Sequence, residues 1–244
     1  MKGTFSVFRR ELGGYFMTPL AYVFGVFFLF LAGILTFYPG NFFARGEADL
    51  KPFFSYLPWL YLFLMPAVSM RLWAEERRSG AIELLLTLPL PLTASVLGKF
   101  LAAWAFTSLA LACTFPLWLT VSYLGEPDHG VILASYVGTV LMSGGYLAIG
   151  ACISATTRSQ VIAFVVSLVV CFLFTVSGST IVLDFFSDWA PRALLDTVAS
   201  FSFLTHFSAI TEGVIDARDV IYFCSLITFC MLLNLYLVGR SKEG

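Results

Sequence analysis

Two histidines, His129 and His206, and five cysteines are the side chains best suited to metal or thiolate chemistry, and their placing argues against both. Cys113, Cys152, Cys171, Cys224 and Cys230 all fall in long apolar runs, where a thiol behaves as a small hydrophobic group, so no disulfide or redox motif is expected. A phosphate-binding loop needs a glycine-rich turn closing on Gly-Lys-Ser or Gly-Lys-Thr, because its backbone amides cradle the phosphates. The only Gly-Lys pair is Gly98-Lys99, followed by Phe100 and with Thr93 at the earlier glycine position. The single Gly-x-Ser, Gly239-Arg240-Ser241, sits in a charged tail. These residues predict no catalytic residue, no metal site and no ATP hydrolysis in this chain.

Polar side chains gather instead in two places. Around His206 lie Asp184, Asp188, Asp196, Glu212 and Asp216, which read as the wall of an external gate or as a solvated acidic surface. The second place is the segment from Arg71 to Pro91, with Glu75, Glu76, Arg77, Arg78 and Gly80 followed by Glu83, Leu84, Leu85 and Leu88. A charged helix there would end at Gly80 in a left-handed cap, and a second short helix would stop at Pro89. Its exposed leucines make sense against the bilayer surface or in the groove of a partner. Arg77 and Arg78 also fit plain topological anchoring, but acidic residues do little for topology, so Glu75, Glu76 and Glu83 need another reason.

The elements that must position these residues are membrane helices. The chain is 59% hydrophobic and 12% charged, far from a soluble composition. Residues 12–44, 52–70, 100–125, 129–157, 159–183 and 220–239 hold no Asp, Glu, Lys or Arg. Each run approaches or exceeds the roughly 20 residues needed to cross a hydrocarbon core. The expected architecture is a single all-α integral membrane domain over 1–244, with spans at about 20–38, 53–71, 101–124, 131–153, 161–183 and 220–238. With the N-terminus inside, ten basic residues are cytoplasmic and four external, while ten acidic residues fall in the external segments 39–52, 125–128 and 184–219. Both ends are therefore expected in the cytoplasm. Residues 72–100 form a cytoplasmic loop and 184–219 an external helical segment.

Phe5, Phe8, Leu12 and Phe16 recur at helical spacing beside Lys2, Arg9 and Arg10, which predicts an interfacial amphipathic helix over 1–19, broken near Gly13, Gly14 and Pro19. Pro58 and Pro66 are expected to kink the second span. Span four is rich in small residues, among them Gly144, Ala148 and Gly150, which allow close helix packing and are candidates for a dimer face.

Glu75-Glu76-Arg77-Arg78-Ser79-Gly80-Ala81-Ile82-Glu83-Leu84-Leu85-Leu86-Thr87-Leu88-Pro89 resembles the Glu-x-x-x-x-Gly-Thr-x-Glu-x-Leu-Leu signature of ABC-2 type permeases, the membrane subunits of ATP-binding-cassette exporters. Ala81 stands where that family commonly has threonine. Leu97-Gly98-Lys99-Phe100 fits too. The Ser202-Phe203-Leu204-Thr205-His206-Phe207 and Gly213-Val214-Ile215-Asp216 segments are similar to the gliding-motility-associated and nitrous-oxide-reductase-maturation branch. The resemblance implies that residues 75–88 form a coupling helix on a separate ABC ATPase subunit, which carries the ATP and Mg; no cofactor is expected in this chain. It also implies a second copy or a homologous permease, an auxiliary membrane-anchored periplasmic protein as a further partner, and the bacterial cytoplasmic (inner) membrane. No nucleic acid is expected.

Two other functions fit the composition. One is an ATP-independent carrier, passive or ion-coupled, although the span interiors offer none of the ionisable residues that ion coupling ordinarily uses. The other is a membrane scaffold for an ATPase. The uncharged spans favour lipid-like, hydrophobic or large flexible cargo.

Overall fold

The computed structural model describes residues 2–40, 42, 46–82, 91–179, 182–184, 191, 197–214 and 216–240, and the regular structure among them is helical. Ten helices carry it: α1 (Lys2–Met17), α2 (Pro19–Phe37), α3 (Lys51–Ser69), α4 (Arg71–Ser79), α5 (Leu92–Ala112), α6 (Phe115–Leu124), α7 (His129–Ser154), α8 (Gln160–Val176), α9 (Phe203–Thr211) and α10 (Ala217–Arg240).

Their boundaries follow local chemistry. α1 runs through both Gly13 and Gly14, and the break comes at Pro19, whose ring forces Thr18 into an extended conformation. Thr18 Oγ1 donates to the carbonyls of Gly14 and Tyr15, closing the last turn of α1. The two helices meet at 73°. Pro58 and Pro66 lie inside α3 without ending it, and only Met70 separates α3 from α4. Asp128 caps α7, its Oδ1 accepting from Gly130 N at 2.8 Å and Val131 N at 3.2 Å, so α6 and α7 form the hairpin expected from Gly125-Glu126-Pro127-Asp128.

Four continuous stretches are long and apolar enough to cross a bilayer: Lys51–Ser79, Leu92–Leu124, His129–Ser154 and Ala217–Arg240. The bent pair α1 and α2 qualifies together as a fifth, and α8 is an apolar helix of 17 residues, about 25 Å long. Each of the six expected spans thus holds a helix, but four or five meet the length and hydropathy of a crossing. The helix of the fifth expected span, α8, ends at Val176, short of the expected 183, and the third expected span differs in two ways. α5 starts at Leu92 rather than near 101 because Lys99 is neutralised inside the protein and does not end the apolar element. The stretch also turns at Cys113–Thr114, where Pro116 opens α6 and Thr114 Oγ1 donates to Leu111 O at 2.6 Å.

α7 is the centre, packed by α3, α5, α8, α9 and α10. Its small residues are what allow this. A β-carbon on Gly144 would meet Ile227 at 2.9 Å and Trp104 at 3.0 Å, and one on Gly145 would meet Phe203 at 2.8 Å. On Gly150 it would collide with the Ser69 side chain of α3, and Ala148 is wholly buried. In lipid, where apolar burial gives no driving force between helices, this close backbone approach and buried hydrogen bonds such as Tyr146 OH with Thr175 Oγ1 at 2.7 Å hold the bundle.

Candidate functional site

At one end of the bundle, α1, α4 and α5 converge on a single ammonium group. Lys99 is 4% exposed, and its Nζ donates to Glu76 Oε1 of α4 at 2.6 Å and lies 3.5 Å from Glu11 Oε1 of α1. It also sits 5.3 Å from the centre of the Trp73 ring, a cation–π arrangement. A buried lysine is tolerated only with such compensation. Gly98 brings the helices together, since a β-carbon there would lie 2.8 Å from the Val7 side chain, and Tyr15 stacks on Phe106 at 5.0 Å.

The base of α4 is fixed to α7 as well. Ser154 Oγ accepts from Trp73 N and Ala74 N, both at 3.1 Å, and donates to Met70 O at 2.9 Å. An Arg77 guanidinium nitrogen donates to Leu237 O of α10 at 3.4 Å. Further along, Glu75 pairs with Arg71 at 3.5 Å, and Ser79 Oγ donates to the carbonyls of Glu75 and Glu76. Gly80 then ends the helix with φ 73°, the left-handed cap that its sequence position suggests.

The expected coupling residues therefore divide. Glu76 and Arg77 face the protein, Glu75, Arg78 and Gly80 are exposed, and Glu83, Leu84, Leu85 and Leu88 lie outside the described residues. Sequence reasoning missed Glu11, Ser154 and the burial of Lys99. The available signal was that Glu11 is the only acid before Glu47 and that Lys99 borders an uncharged run.

The opposite end carries His206 on α9. Its partner is Asp219 of α10, an acid not in the group expected around it, with Nδ1 and Oδ1 2.6 Å apart. Nε2 lies 2.9 Å from Ser200 O, and the imidazole stacks on the Tyr222 ring at 4.0 Å. Asp184, Glu212 and Asp216 are exposed; Asp188 and Asp196 lie outside the described residues. The other side of α9 borders a cavity of about 500 Å³, lined by Leu204, Thr205, Ser208 and Thr211 with Lys51 and Ser55 of α3. A second cavity of about 440 Å³ adjoins it through Lys51, Thr211 and Glu212 and is bordered by Glu47, Asp49, Glu126 and Asp128.

Gly144, Ala148 and Gly150, candidates for a dimer face, are used for packing within the chain, as their burial against α3, α5 and α10 requires. Among the described residues no group of three or more His, Cys, Asp or Glu is placed to hold a metal. The arrangement ties helices together at both ends, which suits the transmission of movement rather than the making of bonds.

Comparison with known proteins agrees with this geometry. The chain is 32% identical over 107 residues to heme exporter protein B of Rhodobacter capsulatus, covering 43% of this chain and 49% of that protein. It is 34% identical over 87 residues to heme exporter protein B of Paracoccus denitrificans, covering 35% and 40%. The aligned part thus spans half or less of the relatives' length. A far longer match, over residues 7–238, is to the family described as ABC-2 family transporter protein. Members of that family are transmembrane subunits that pair with an ABC ATPase and are not the ATPase themselves. Because this match runs from the first helix through the Lys99 junction and α9 into the last helix, the chain is a multi-pass membrane protein of the ABC-2 transporter family.

Proposed function

We propose that the chain is the permease half of an exporter in the bacterial cytoplasmic membrane, with six spans, both termini inside, and transport by alternating access driven by ATP in a separate subunit. The observation that carries this reading is the buried Glu11–Lys99–Glu76 cluster, because it joins the stem of the signature loop to the N-terminal helix and to a spanning helix. Force applied beyond Gly80 would reach all three elements.

Orientation has support from where the charges fall. Glu11, Glu76, Lys99, Arg77 and Arg158 share one end, while the other is rimmed by Glu47, Asp49, Glu126, Asp128 and Glu212 with the single cation Lys51 in that cavity wall. Basic residues favour the cytoplasmic side. In this reading α1 lies at the inner membrane surface, and residues 75–88 dock on the ATPase. A leucine such as Leu84, Leu85 or Leu88 contributes about 1.5–3 kcal/mol when fully buried against a partner. Glu83 adds a charge-assisted hydrogen bond of about 1.5–3 kcal/mol. A second copy or a homologous permease completes the pathway, and an auxiliary membrane-anchored periplasmic protein is a further partner.

Both imidazoles are engaged within the chain, His129 by Trp118 and His206 by Ser200 and Asp219. The cargo class is drawn from the long charge-free stretches of the spans, which suit hydrophobic or lipid-like molecules, rather than from the haem in the relatives' names.

Co-purification with its ATPase tests the assignment. Glu83→Arg is expected to leave membrane insertion unchanged while losing ATPase association or cargo-stimulated hydrolysis. Parent-like values in both assays would reduce residues 75–88 to a topological anchor.

A further inference from the structure

The His206 contacts contain a proton count. Ser200 O can only accept, so Nε2 must carry a hydrogen to meet it at 2.9 Å. Nδ1 faces a carboxylate oxygen at 2.6 Å and must also carry one if Asp219 is ionised. Asp219 lies in the first turn of α10, where the helix dipole favours its negative form. It is 6% exposed, and its second oxygen, Oδ2, is buried with no hydrogen-bond partner among the described residues. The stacked Tyr222 ring offers its face to a cationic imidazole. With Asp219 ionised, a neutral imidazole would satisfy Ser200 or Asp219 but not both.

We propose that His206 is a positioning residue that fixes α9 as an imidazolium bridging Ser200 and Asp219, and that loss of its proton releases α9 from the wall of the external cavity. The linkage has one sign. While the proton is held, the turn before α9 and the start of α10 are clamped together. As pH rises the proton leaves, one of the two contacts becomes a repulsion between lone pairs, and α9 is freed. The other titratable or charged groups at this end include Arg218 and Tyr222 of α10, Glu212 and Asp216 flanking α9, His129 of α7 with Asp128 at its cap, Lys51 of α3, and Glu47, Asp49, Glu126 and Asp184. Arg218, Glu212 and Asp216 are exposed, and His129 accepts from Trp118 at 3.1 Å. Phe201, which follows Ser200, accepts from Tyr222 OH at 2.6 Å, so the same turn has a second, proton-independent tether to α10 that survives release. α9 would then swing from that tether rather than detach.

This deepens the proposed transport reading, since it rests on α9 being external, but neither readout below uses an ATPase subunit. Failure here would leave the coupling assignment standing, and failure of coupling would leave these results standing. The full chain, reconstituted in phospholipid vesicles without a histidine tag, contains two imidazoles, so labelling histidine with ¹⁵N gives two sets of ring signals. His129→Gln identifies which set belongs to His206. The expected result across a pH series is a His206 ring with both nitrogens protonated at the acid end and one proton lost at the alkaline end. Over the same series, backbone hydrogen exchange across 203–211, corrected for its intrinsic pH dependence, should rise by roughly tenfold. Asp219→Asn supplies the decisive contrast, because its amide donates to Nδ1 of a neutral ring whose Nε2 hydrogen still reaches Ser200. That variant should show one protonated nitrogen throughout and flat exchange. A His206 ring that stays singly protonated across the whole series in the parent would overturn the proposal without any variant. An equal rise in exchange in Asp219→Asn would overturn it as well.

Discussion

Lys99 is the residue on which the end of the bundle formed by α1, α4 and α5 depends. Its ammonium is shared by two carboxylates that are themselves only about one-fifth exposed, with Glu76 at 2.6 Å and Glu11 at 3.5 Å. Removing the cation leaves both acids facing each other, whereas removing one acid leaves the cation a remaining partner. Breaking a fully buried ion pair from one side costs about 3–5 kcal/mol, and the partial exposure of the two glutamates reduces this. Lys99→Met is therefore expected to destabilise by roughly 2–3 kcal/mol and Glu76→Gln by about half as much, read as shifts in the thermal midpoint of the detergent-solubilised protein. Equal losses would mean that Glu11 takes no part. The sequence alone showed Lys99 as one more cytoplasmic cation, because a count of charges by side cannot tell a solvated lysine from one buried under Trp73. Asp219 escaped notice for the same reason: its nearness to His206 comes from folding α9 against α10, and no spacing along the chain encodes it.

At the scale of elements, Gly80 sets where α4 stops and how the following segment leaves it. With φ at 73°, the residue occupies a region that costs an ordinary L-residue about 1–2 kcal/mol and a β-branched one more. Asparagine visits this region readily. ATPase association should accordingly fall in the order Gly80, Gly80→Asn, Gly80→Val, with assembly of the membrane helices unchanged, as measured by pull-down alongside size-exclusion profiles. A Gly80→Val variant that binds like the parent would show that the exit angle is immaterial. Long apolar elements were legible from their charge-free runs, and so was this cap, because glycine at the end of a charged helix has few other uses. Helix ends were less legible. α5 extends past Lys99 towards Leu92 since pairing removes the penalty that a charge would otherwise carry, and the interruption at Cys113–Thr114 is set by Pro116 within a run that hydropathy reads as continuous. Gly144, Ala148 and Gly150 announced close packing but not its partner, which proved to be the chain's own α3, α5 and α10.

In the whole molecule, α7 links the two ends. It meets α4 through Ser154 at the Lys99 junction, and Gly138 near its other end packs on Ile210 of α9, close to the external cavity. In the proposed alternating-access mechanism, a central helix held at both ends lets movement of the stem at one face tilt the walls of the other. Interior packing of this density transmits displacement rather than absorbing it. In the proposed mechanism, ATP bound by a partner subunit acts on the far face of the bundle through the Glu11–Lys99–Glu76 cluster. The most direct test is a spin label at Ser208, which is exposed on α9 beside the external cavity, in a complex holding two copies of the chain and its ATPase. The label-to-label distance is predicted to shift between nucleotide-free and ATP-trapped complexes in the parent, and to stay fixed in Lys99→Met with the ATPase still bound. A shift of the same size in the Lys99→Met complex would contradict it.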